Sequence, residues 1–294
     1  MKRIILLSFL SLTCLKSFSQ NVDYIEKYHK IVLKAELLLL ENKCDSSLYY
    51  YQKAFSNVPY TFASDFKNAA YTAYLCENKE LARQYIDSAS VRGMPIKKRL
   101  KKYYTNKADW VYFSTIKYNQ LINKGTGKTD SSMIHLIDSL YIEDQSVRQS
   151  KTYDLSWQNR CTETDSLIAE CLRLYLLTGK ISEGSLGRDA YRKFSIILFH
   201  YLFINDQDLI KKLYKNGCID KGDFFYCITR PAQWGKKTDF LVPEMLKNDK
   251  YQIITDEIDN KRKEYGIPSV EQTKNLMKLR KKSSDLFYFN LKWY

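Results

Sequence analysis

Residues 62–89, FASDFKNAAYTAYLCENKELARQYIDSA, decide the fold. Their apolar positions are Phe62, Phe66, Ala69, Ala70, Ala73 and Tyr74, then Leu81, Ala82, Tyr85, Ile86 and Ala89. Intervals of three and four put each set on one face of a helix. Glu77-Asn78-Lys79 lies between them without an apolar side chain and reads as a turn, and Gly93 and Pro95 close the second helix. The same arrangement precedes this stretch. Ile25, Tyr28, Val32, Ala35 and Leu39 mark a helix broken at Asn42-Lys43. Asp45 is a candidate cap for a partner helix through Leu48, Tyr51, Ala54 and Phe55, which ends near Pro59.

Overlaying the two pairs matches Ala35 with Ala70, Leu40 with Leu75 and Ala54 with Ala89, each 35 positions apart. A period of about 34 with two helices per unit marks tetratricopeptide repeats, and residues 28–61 and 63–96 resemble two of them. Ala35, Ala70 and Ala82 take the small positions where paired helices touch, and Tyr51 and Ile86 take the large position of each second helix. The consensus Gly and Trp are missing, and Ser47 stands where an Ala is expected. The resemblance implies stacked helix pairs whose concave side receives a protein or peptide partner. Two such units leave an apolar face open, so later helices must cap them.

Those later helices are predicted at 110–122, 133–144 (capped by Asp130), 164–177, 189–204, 207–214, 222–228, 251–265 and 270–282, with Gly179, Gly187 and Gly217 as breaks. Residues 149–160 are polar and weakly periodic and read as an excursion or hinge. Nothing alternates with period two over a useful length. The expected fold class is therefore all-α: a tetratricopeptide-like array over 20–126 packed against a helical domain over 127–294.

Residues 4–15 are almost wholly apolar behind Met1-Lys2-Arg3. A bilayer span needs about 20 such residues, so this run reads as the core of a signal peptide covering 1–19, cleaved before Gln20. The alternative is a lipoprotein anchored through Cys14, although Thr13 and Ser11 do not fit the usual residues before a lipid-bearing Cys. An exported, periplasmic or secreted protein follows. Cleavage before Gln20 leaves six cysteines: Cys44, Cys76, Cys161, Cys171, Cys218 and Cys227. An oxidising compartment permits disulfides, but several of these residues lie within apolar helical patterns, which favours buried free thiols. No CxxC occurs.

The 47 Lys and Arg exceed the 33 Asp and Glu, for a net charge of +14. The basic residues gather at 97–102, Lys211-Lys212, Lys236-Lys237, 261–263 and 278–282. In an exported chain such clusters suit acidic polysaccharide, lipid headgroups or an acidic protein face, not nucleic acid; the bland reading is a solvated surface. Three His in the whole chain disfavour a His-built metal site, and no cofactor is expected. Gly125-Thr126-Gly127-Lys128-Thr129 lacks the first Gly of a phosphate loop and follows a helical rather than a strand pattern. It reads as an interhelical turn.

Chemistry concentrates after Asp144-Gln145-Ser146-Val147-Arg148. Asp165 follows in the next helix, His200 sits inside the apolar run Ser195-Ile196-Ile197-Leu198-Phe199-His200-Tyr201, and Arg230 comes after Phe225-Tyr226-Cys227. From about 140 to 275 the chain resembles an uncharacterised, mostly exported bacterial domain family that opens with Asp-Gln-x-x-Arg. Tyr201 stands where that family often has a second His, and Thr229 where it has an Asp before the Arg. Charges on apolar helices must be paired. Asp144, Arg148, Asp165, His200 and Arg230 are therefore the candidate binding residues, either as a structural network or as an acid–base pocket centred on His200. The expected function is an exported binding or scaffolding protein, with a small-ligand-binding or hydrolase-like enzyme as the alternative.

Overall fold

The three- and four-residue spacing of apolar side chains becomes helix throughout the computed structural model, which describes residues 22–93, 130–149, 155–176, 181–201, 206–233 and 255–282. Among these residues every regular element is helical. A π-helical turn, Ile25–His29, leads into α1 (Lys30–Leu40), followed by α2 (Cys44–Ser56), α3 (Ala63–Leu75) and α4 (Lys79–Val91). The second half contains α5 (Ser131–Arg148), α6 (Leu155–Leu176), α7 (Glu183–Tyr201), α8 (Gln207–Lys215), α9 (Lys221–Gln233), α10 (Thr255–Glu264) and α11 (Val270–Lys282). The fold is all-α. The leader at 1–19 with Cys14, the boundary at 126/127, the helix expected at 110–122, the turn at 125–129 and the clusters at 97–102 and 236–237 lie outside the described residues.

In the first half α1 packs on α2, α3 on α4, and α2 on α3. Ala35, Ala54, Ala82 and Ala89 are fully buried and Ala70 nearly so, as close helix approach through a methyl group requires. The departure at Ser47 has a local reason: its hydroxyl, fully buried, donates to the Ala35 carbonyl at 2.7 Å and so bonds α2 to α1. Asp45 is not the cap of α2, which starts one residue earlier with Lys43 at the cap and Asp45 in its first turn. Asn78 caps α4 by accepting the Leu81 N–H at 3.1 Å, and Asp130 caps α5 by accepting that of Met133 at 3.1 Å.

The expectation of free thiols is corrected at one pair. Cys44 and Cys76 form a disulfide, with Cα atoms 5.5 Å apart. Antiparallel stacking of α2 and α3 brings the start of one beside the end of the other, which a reading of each helix by itself does not anticipate. Cys161, Cys218 and Cys227 are buried free thiols, and Cys171 is free but exposed.

In the second half α5 packs against α6 and α7, and α9 against α7 and α8. The predicted hinge at 149–160 is shorter than expected, because α6 already begins at Leu155. Trp157 ties its first turn to the end of α5 by donating to the Val147 carbonyl at 3.0 Å. Gly187 does interrupt its helix: at φ 70° and ψ 168° it kinks α7 after one turn, a conformation that costs other residues dearly.

The two halves share one hydrophobic core that runs from Tyr24 to Ile267. α1 and α3, the helices that would line a concave groove, are covered by the chain's own second half. Lys221 of α9 reaches the fully buried Glu36 of α1 as an ion pair. Tyr214 of α8 stacks on His29 at 4.0 Å between ring centroids, and Glu183 of α7 accepts the Ala63 N–H at 2.9 Å at the start of α3. Leu276 of α11 joins Leu39 and Tyr71 in a smaller cluster. Where Gly266 meets α1 its backbone is so close that a Cβ would sit 2.8 Å from the Lys30 nitrogen, and its φ is 67°. Only Gly fits there.

The interface between the halves seals a group of acids. Burial pushes the Glu36 carboxyl above its ordinary range against the pull of Lys221. Burial likewise raises Asp65 to about 6, although Lys221 draws it down and the Tyr28 hydroxyl donates to it at 2.7 Å. Asp220 and Asp223 are both raised by burial and, for Asp220, by the neighbouring carboxylate. Asp223 accepts from Tyr191 at 2.7 Å and from Ser195 at 2.8 Å.

Candidate functional site

Four of the five residues singled out from the sequence meet where α5, α6 and α7 pack together. The i, i+4 spacing of Asp144 and Arg148 places both on one face of α5. Asp165 comes from α6, and His200 from the last turn of α7. Arg230 lies in α9, and its side chain is outside the described residues. Sequence reasoning missed Gln145 as an Asp144 partner, although it stands within the quoted motif, and missed Cys161, which lies one turn before Asp165 on α6.

Asp144 is the hub. Its carboxylate is fully buried and accepts from Arg148 Nε at 2.9 Å, from Gln145 Nε2 at 2.7 Å and from His200 Nδ1, which is 2.9 Å from both oxygens. Burial pushes this carboxyl up, but the hydrogen bond and charge of His200 and the Arg148 guanidinium outweigh it and hold Asp144 below its usual value. An ionised carboxylate can only accept, so the proton belongs on His200 Nδ1. Arg148 also donates through Nη2 to Asp165, bridging the two acids. Burial raises Asp165, with Arg148 opposing and Asp144 reinforcing the rise. Burial likewise raises the Cys161 thiol, which sits within the field of Arg148 and both acids.

The arrangement differs from a sealed core network at one atom. The His200 side chain is 19% exposed, and among the described residues its Nε2 has no hydrogen-bond partner. A buried carboxylate that fixes Nδ1–H sets the orientation of Nε2, which is an acceptor on the neutral ring and a donor on the protonated one. Such a nitrogen can accept a hydrogen bond from a ligand or take up a proton.

The second buried His was not foreseen. His29 lies between Tyr214 and Phe62, with centroids 4.0 and 6.0 Å away, and Tyr214 in turn stacks on Phe224 at 4.0 Å. Its Nε2 is buried without a hydrogen-bond partner. Burial, aided by the Lys221 charge, lowers its pKa well below the ordinary range, so the ring acts as a neutral aromatic plate. The signal was the aromatic company of Tyr24 and Tyr28 just before it.

Among the described residues no group of three or more His, Cys, Asp or Glu is placed to hold a metal ion. No described helix is long and apolar enough to cross a membrane. No family model, curated protein or solved structure matches the chain.

Proposed function

We propose that this chain is an exported helical binding protein that holds a small polar ligand at His200. The observation that carries the reading is the asymmetry of the imidazole: on a side chain that is 19% exposed, Nδ1 is fixed on a fully buried carboxylate and Nε2 has no hydrogen-bond partner among the described residues. A histidine kept only for packing has no need of an oriented nitrogen on a partly exposed ring. The basic-then-apolar leader and the Cys44–Cys76 disulfide support export, since such bonds persist in oxidising compartments. The buried alanines spaced by 35 support tetratricopeptide-like ancestry for the first four helices. With α1 and α3 covered by α7, α8, α9 and α11, a protein partner is better placed on the outer faces of the array than against those two helices.

The test is a thermal-shift screen of small carboxylates, phosphates and amides against wild type and His200→Ala. Stabilisation by at least one class that disappears in His200→Ala is expected. A panel in which every shift survives the substitution sinks the reading. A second reading, a hydrolase-like enzyme, draws on the same Asp144–His200 pair, because a carboxylate-oriented imidazole is the usual general base. Turnover that Asp144→Asn reduces without loss of fold would select it.

A further inference from the structure

On the outer side of the first helix pair, α2 presents two adjacent tyrosines. Tyr49 is 57% exposed and meets Tyr50 edge to face, with centroids 5.3 Å apart and planes at 80°. The Lys34 ammonium of α1 lies 4.2 Å from the Tyr50 ring centre and that of Lys53 lies 6.0 Å away on the same ring. Both lysines are exposed, and neither has a carboxylate partner among the described residues, whereas nearby Lys30 is paired with Glu26. Lys34 also lowers the Tyr50 hydroxyl pKa, chiefly through a hydrogen bond. Tyr50 is half-buried, and among the described residues no Leu, Ile or Val of α1 or α2 is fully exposed, so the surface offers the Tyr49 ring and the ammonium groups without an exposed aliphatic anchor.

We propose that Tyr49, Tyr50, Lys34 and Lys53 form a docking surface for an anionic polysaccharide. A sugar ring lays its C–H face on an exposed aromatic ring, and Tyr49 supplies one whose polar tip stays wet. The sugar's carboxylate or sulfate then meets the two unpaired ammonium groups, which are already gathered on the neighbouring ring by cation–π attraction. Charge complementarity selects the anion, since the chain as a whole carries +14. A membrane or an amphipathic helix would call for an aliphatic anchor instead. This surface is independent of His200 and stands or falls separately from it.

The experiment is affinity measurement of the full-length mature protein on alginate, on dextran sulfate and on neutral dextran. Binding to at least one polyanion, with none to neutral dextran, is expected. Lys34→Gln/Lys53→Gln should weaken it about tenfold, and Tyr49→Ala by a similar factor, with melting temperature unchanged. Tyr49→Phe should keep most of the affinity, because the ring is retained. Lys274→Gln/Lys278→Gln on α11 serves as the charge control and should leave binding intact. The proposal is overturned by absence of binding to both polyanions, or by equal losses in the control pair. Tyr49-dependent binding to vesicles of anionic phospholipid in preference to both polysaccharides would also overturn it, in favour of a lipid surface.

Discussion

The neighbourhood of Glu36 and His29 and that of Asp144 and His200 use the same residue types to opposite ends. In the first, a carboxylate meets Lys221 across the interface between the halves, and the imidazole is shut between aromatic rings. In the second, a carboxylate is equally buried, but the imidazole it holds is 19% exposed. Burial dominates the first region: Glu36 and Asp65 are raised and His29 is lowered, so every one of these groups is driven toward its neutral form. Hydrogen bonds and charge dominate Asp144, which is driven toward its ionised form. Polar groups in a core therefore divide by what they are held for. Those that join the two halves are sealed, whereas the imidazole of the proposed ligand site is partly exposed.

The contrast can be broken most directly at Lys221. Lys221→Met removes the cation facing Glu36, and a buried charge that loses its partner costs roughly 3–5 kcal/mol. Urea unfolding at pH 7 measures this; a loss below about 1 kcal/mol would mean that the ion pair does not hold the halves together. Ala70→Leu tests the packing around the sealed region. Overpacking the α3 contact should cost roughly 1–3 kcal/mol, and an unchanged melting curve would place Ala70 away from its partner helix.

His200→Ala should cost only about 1 kcal/mol, the worth of a hydrogen bond whose donor is partly in water. His200→Gln should recover part of it. If His200→Ala destabilised the protein by more than about 3 kcal/mol, His200 would be as structural as Glu36 and the distinction would vanish.

The smallest effect is in pH, and there Asp65 and Asp144 should respond with opposite sign. Asp65 has a folded value of about 6, above its unfolded one. Its favourable contribution is complete below the unfolded value and is lost as pH rises through about 6. Asp144 is held below its usual value, so its contribution is present above the unfolded value and lost as pH falls through the lower, folded one. Over pH 7 to 5 the lowered His29 works against stability as pH falls, while Glu36, Asp220 and Asp223 act in the same direction as Asp65. Asp65 is therefore read as a difference: the stability of wild type relative to Asp65→Asn should rise as pH falls from 7 to 5, and that relative to Asp144→Asn should stay flat. A wild-type advantage over Asp65→Asn that shrinks as pH falls over this interval would contradict the assignment for Asp65.

What could be read from the chain follows the range of the interactions. The alanines at 35, 54, 70, 82 and 89 repeat locally, so the helix pairs were legible before any coordinate. Asp144, Arg148, Asp165 and His200 were legible because a charge on an apolar helix must have a partner nearby. Glu36 and Lys221 are 185 residues apart, and no periodicity connects them. Cys44 and Cys76 belong to different helix pairs, and only the stacking of α2 on α3 brings them together. The ring that covers His29 comes from α8, far along the sequence, and no local pattern points to it.

The Glu183 bond to the start of α3 spans 120 residues of sequence, and the Lys221 bond to α1 spans 185. Chains emerge from the ribosome at about 5–20 residues per second, so the first helices wait on the order of ten seconds or more for the groups that complete them. Throughout that interval α1 and α3 carry uncompensated polar groups and cannot settle into their final packing. The late arrival of α7 and α9 thus sets when the fold can close, because no shorter stretch of chain holds the groups that complete α1 and α3.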